Sequence, residues 1–106
     1  MEKNDDLKVQ SLAQKIKEKF NPQKVILFGS HANGAPAKGS DIDLLIIMNT
    51  NLKPYKQASL IRMFLDDIFG VNYPIDIIVR TPESIEKRLK EGDFFIKNIL
   101  EEGVPL

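Results

Sequence analysis

Cysteine is absent from this chain of 106 residues. No disulfide can brace the fold, and no thiolate can bind a metal. An excess of either charge is also missing: 15 Lys and Arg balance 15 Asp and Glu. There is thus no global field to draw in nucleic acid or an anionic membrane, and direct nucleic-acid binding is not expected. No apolar run approaches the roughly 20 residues that span a bilayer. The N-terminal stretch is charged and lacks the apolar core of a signal peptide. Internal repeats and low-complexity tracts are absent as well. The chain therefore reads as a soluble, cytoplasmic protein without membrane contact. Its hydrophobic share of 42% suffices for one core, in a single domain spanning residues 1–106.

What is present falls into alternating patterns. Residues 5–20 place Leu7, Leu12, Ile16 and Phe20 near helical spacing, and Asn21-Pro22 ends that helix. Residues 24–28 are short and apolar and predict a strand closed by Gly29. A loop over 29–40, with a short helical turn after Gly29, leads to a second strand over 41–48. A helix over 54–69, closed by Gly70, carries the apolar stripe Ala58, Ile61, Leu65 and Ile68, of which Ile61, Leu65 and Ile68 read as core. A third strand follows over 73–80. Thr81-Pro82 then opens a helix to about Lys90, with Thr81 as its cap. Asp93 caps a last helix to about Glu102, stopped by Gly103. The pattern predicts an α/β fold: a small sheet of at least three strands, mixed or not, flanked by helices.

Three acids stand out against this background. Asp41 and Asp43 head the second strand and share one face, with Cα atoms about 6.6 Å apart. Asp76 alternates with Ile75 and Ile77 on the third strand. If those strands are neighbours, Asp76 can face the same spot as Asp43. Each like-charge pair at about 4 Å would cost on the order of 4 kcal/mol at an effective dielectric of 20. A divalent cation relieves that repulsion, and oxygen-only ligands suit Mg²⁺ or Mn²⁺ rather than Zn²⁺. Acids on adjacent strands can hold two ions for in-line displacement at phosphorus. Gly29 lets phosphate oxygens approach the backbone, Ser30 adds a hydroxyl donor, and Lys38 adds a point charge. His31, the only histidine, reads as an exposed loop residue without a catalytic part.

Gly29-Ser30, ten intervening residues, then Asp41-x-Asp43 resembles the G-S-x10-D-x-D signature of the DNA-polymerase-beta-type nucleotidyltransferase superfamily. The closest likeness is to its minimal nucleotidyltransferases of about 100 residues. This resemblance implies a nucleotidyltransferase fold with a mixed sheet. It implies that Asp41, Asp43 and Asp76 are catalytic and bind two Mg²⁺ ions. It also implies that Gly29 and Ser30 hold the phosphates of an NTP, with ATP favoured. A nucleoside monophosphate would pass to a hydroxyl and pyrophosphate would leave. Many relatives read G-S-R-A-x-G after the first strand; here His31 and Asn33 leave out the arginine fork, which implies weaker or narrower nucleotide binding.

The chain is too short to hold a large acceptor of its own. By resemblance, the acceptor is a hydroxyl on a HEPN-domain toxin encoded alongside, and this chain is the antitoxin in a hetero-oligomer. The alternative is a non-catalytic module that neutralises its partner by contact. Phe94, Phe95, Ile96, Ile99 and Leu100 exceed what one buried stripe needs and favour some interface. Nucleotidylation of a small molecule is a third reading, without a visible acceptor pocket.

Overall fold

The computed structural model describes residues 3–32, 41–70 and 74–106, with side chains from Lys8 onward. The elements are α1 (Lys3–Phe20), β1 (Lys24–Phe28), β2 (Ile42–Ile47), α2 (Pro54–Phe69), β3 (Ile75–Arg80), α3 (Pro82–Lys90), α4 (Phe94–Glu102) and β4 (Val104–Pro105). The four strands form a sheet of order β3-β2-β1-β4. β1 pairs antiparallel with β2 and β4, while β2 and β3 run parallel. The sheet is therefore mixed. The α2 crossover between β2 and β3 gives the parallel pair.

Period-two alternation sorts the strand residues between two cores. On one side, Val25, Leu27, Ile42, Leu44, Ile46, Ile75 and Val79 pack against Val9, Leu12 and Ile16 of α1 and Ile61 and Leu65 of α2. On the other, Ile26, Leu45 and Ile47 pack against Ile85 of α3 and Ile96 and Ile99 of α4. Helices cover both faces, so β2 is apolar at every position from Leu44 to Ile47, and all four of these residues are buried.

The helix ends follow local chemistry. Asn21 takes a left-handed φ of 49° and closes α1. The Thr81 hydroxyl accepts from the Ser84 N–H at 3.1 Å, with Pro82 in the first turn of α3. The Asp93 carboxylate accepts from the Ile96 N–H at 3.0 Å and caps α4.

Two expectations about the helices and strands need correction. Ile68 is 44% exposed rather than core. The buried line of α2 is Gln57, Ile61 and Leu65, spaced by four, and it continues to the partly buried Phe69, one residue beyond Ile68. The second is β4, which the sequence reading stopped short of at Gly103. Val104 pairs with Leu27, Pro105 pairs with Ile26, and the Leu106 N–H donates to the Val25 carbonyl at 2.9 Å. Gly103 permits this return. A Cβ there would overlap the Ile99 carbonyl oxygen and the Ile26 side chain.

Candidate active site

β2 and β3 are paired in the register Ile42↔Ile75, Asp43↔Asp76 and Leu44↔Ile77. In-register neighbours project to the same side of a sheet, so the two carboxylates stand side by side. Phe28, the partner of Asp43 on β1, completes the row. This is the side that α3 and α4 cover, but the cover stops short of the acids. Phe95 of α4 rests edge-to-face on Phe28, with centroids 5.9 Å apart. Beyond that contact Asp43 is half-buried and Asp76 exposed. Asp41 lies one residue before β2, also exposed.

The β1 turn comes up against the same carboxylate. Gly29 has φ of +76°, and a Cβ on it would overlap Oδ2 of Asp43. Only glycine satisfies both conditions. The Ala32 N–H donates to the Gly29 carbonyl at 3.1 Å, which closes a single tight turn over Ser30 and His31. Burial pushes the Asp43 carboxyl above the usual carboxylate range; Asp76 and Asp41 push it the same way, and His31 pulls it back. His31 was expected to be exposed, and it is not: only 8% of its surface is accessible. The tight turn folds its ring inward, where it acts on Asp43. The like-charge cost is also smaller than the dielectric-20 figure, because Asp41 and Asp76 face water.

Residues outside the row hold it in place. Arg62 of α2 donates to the Ile75 carbonyl and to Asp66, the latter at 3.1 Å. That ties the crossover helix to the strand position just before Asp76. Backbone bonds from the Ile42 N–H to the Pro74 carbonyl (2.8 Å) and from the Met48 N–H to the Arg80 carbonyl (3.1 Å) close the parallel ladder at both ends.

A general model of the nucleotidyltransferase domain matches residues 9–106. This chain belongs to the nucleotidyltransferase domain family. A protein of Methanocaldococcus jannaschii provisionally named a protein adenylyltransferase is 31% identical over 102 residues, covering 94% of this chain and 95% of that one. A crystal structure from Sulfolobus solfataricus, provisionally named a nucleotidyltransferase, superposes with a TM-score of 0.52 at 19% identity. It covers 92% of this chain and 74% of that one, and the likeness is one of fold.

Nucleotidyltransferase domains generally act on an NTP with a divalent metal. Among the described residues no three Asp, Glu, His or Cys side chains, Asp41, Asp43 and Asp76 included, are grouped closely enough to hold a metal ion together. The donor set nonetheless fits Mg²⁺. That ion usually keeps several waters and takes one or two carboxylates plus substrate phosphates, rather than an all-protein cage. Asp43 and Asp76 supply two such carboxylates side by side. Ser30, half-buried, directly follows Gly29. Lys38 lies outside the described residues.

One feature of this nucleotidyltransferase domain escaped the sequence reading. A groove of about 270 Å³ runs between α4 and the Gly29 turn, lined by Phe28, Gly29, Phe95, Asn98, Ile99 and Glu102 among others. The surplus of phenylalanine at 94–95 hinted at an exposed surface. Nothing in the pattern placed that surface beside Gly29, because the approach depends on α4 docking against β1. Phe94 is 81% exposed and Phe95 53%, whereas Ile96 and Ile99 are buried.

Proposed function

We propose that this chain is a Mg²⁺-dependent nucleotidyltransferase that moves a nucleoside monophosphate from ATP to a hydroxyl on a partner protein. The observation that carries the reading is the in-register pairing of Asp43 with Asp76 against the Gly29 turn. Backbone N–H groups of a glycine turn favour anions, so Gly29 and Ser30 receive the β- and γ-phosphates, with Lys38 as a further phosphate contact. Mg²⁺ held by Asp41, Asp43 and Asp76 would neutralise charge on the phosphoryl oxygens during transfer. Asp76, which faces water at the rim of the row, takes the proton of the incoming hydroxyl in this reading. The oxygen of that hydroxyl forms the new bond to the α-phosphorus as the bond to pyrophosphate breaks.

The acceptor is a hydroxyl on a HEPN-domain toxin, with this chain acting as antitoxin in the cytoplasm, as one domain in a hetero-oligomer. The name carried by the Methanocaldococcus relative supports a protein acceptor. The test is incubation of the protein with labelled ATP, Mg²⁺ and the product of the neighbouring reading frame. Label on the partner, lost in Asp43→Ala, is the expected result. No label with either Mg²⁺ or Mn²⁺ overturns it.

The exposed Phe94 and Phe95 favour a second reading, neutralisation by contact alone. Under it, Asp43→Ala would leave neutralisation intact. Under the catalytic reading, neutralisation fails while the complex still forms.

A further inference from the structure

We infer that the groove between α4 and the Gly29 turn is a nucleobase subsite selective for adenine, an inference that rests on the nucleotidyltransferase reading above. The groove opens at Gly29, where the phosphates are proposed to bind, so a nucleotide seated there has its base within reach of α4. Phe95, Asn98 and Glu102 stand at i, i+3 and i+7 on that helix and share one face. All three are exposed.

Each offers a different element of base recognition. The Phe95 ring meets Phe28 edge-to-face and is still half exposed, which leaves aromatic surface on which a base can stack. The Asn98 carboxamide carries a donor and an acceptor, the pair that reads the ring nitrogen and amino group on one edge of adenine. Glu102 offers only acceptors while ionised. Its charge repels phosphate, so the groove takes the neutral end of the nucleotide. It also favours an exocyclic amino group. Guanine presents a carbonyl oxygen where adenine presents that amino group, and its lone pairs would face those of Glu102 and Asn98.

The experiment is calorimetric titration of the protein, with Mg²⁺, by a non-hydrolysable ATP analogue, its GTP counterpart and inorganic tripolyphosphate. The proteins are wild type, Phe95→Leu and Asn98→Ala. Phe95→Leu keeps an apolar cover over Phe28 but loses the stacking surface. It should weaken the ATP analogue roughly ten- to hundredfold and leave tripolyphosphate unchanged. Asn98 is exposed, so Asn98→Ala does not challenge the fold. That variant should cut the preference for adenine over guanine by roughly tenfold. Equal wild-type affinity for the two nucleotides overturns the adenine selectivity. Tight ATP binding unchanged in both variants, or loss of ATP and tripolyphosphate alike in Phe95→Leu, overturns the subsite alone. Wild-type protein that binds neither nucleotide nor tripolyphosphate overturns the nucleotidyltransferase reading together with it.

Discussion

Asp43→Asn should make the metal-free protein more stable while removing its response to Mg²⁺. Asp43 stands directly opposite Asp76 across the parallel pair, and Asp41 adds to the same repulsion. A like-charge pair directly opposite in a sheet destabilises by about 0.2–1 kcal/mol. Asparagine keeps the shape and removes the charge, so the variant regains that amount and sheds the burial cost of an ionised group. For a chain of this size the gain corresponds to a rise in Tm of roughly 1–8 °C. The assay is thermal unfolding followed by circular dichroism at low salt and about pH 8. The pH dependence has a definite sign. The folded carboxyl holds its proton more tightly than the unfolded one, whose ordinary value is 3.8. Metal-free wild type therefore loses stability as pH climbs from about 3.8 through the raised folded value, and Asp43→Asn lacks that slope. Millimolar Mg²⁺ should stabilise wild type by mass action and leave the variant nearly unmoved. A metal-free variant less stable than wild type above that pH window refutes the reasoning, because Asp43 would then be satisfied by protein groups.

Gly29→Ala should cost about 1–2 kcal/mol from the left-handed backbone alone, read in urea unfolding. The new methyl would also displace the Asp43 carboxylate, so transfer activity should fall about a hundredfold, beyond what stability explains; intact activity would show that the position of Asp43 is immaterial. Gly103→Ala drives a methyl into the Ile99 carbonyl and Ile26, and should cost about 1–3 kcal/mol in the same unfolding assay. Asp93→Asn weakens the α4 cap; the wild-type carboxyl is held below its ordinary value by the Ile96 N–H and Arg88, so the stability difference should be present above about pH 3.8 and vanish as pH falls through the folded value.

The residues that encode the fold most openly are those whose chemistry acts locally. Thr81-Pro82, Asp93, Asn21-Pro22 and the alternation of β2 and β3 each fix an element from within a few positions, and they could be read directly. Asp41-x-Asp43 and Asp76 were legible as odd charges in apolar strands. Their shared row needed the pairing of two strands whose partner residues lie 33 positions apart in sequence, which alternation permits without dictating. His31 misled because loop composition says nothing of which way a tight turn folds its side chain. β4 is two residues long, too short to carry any period, and it exists because β1 offers a free edge. Ile68 lost to Phe69 through the drift of an apolar line spaced by four, which a 3.6-residue period leaves ambiguous.

The parallel pairing of β2 with β3 has an evolutionary consequence. Side chains alternate along both strands, so sliding one past the other by a single residue would turn its acid toward the α1–α2 core and move its isoleucines from that core to the opposite face. The interior that keeps the sheet from slipping is therefore the alignment gauge of the two carboxylates. Substitutions in Leu44, Ile46 or Val79 that merely loosen that interior would be felt first as lost chemistry, well before the protein unfolds.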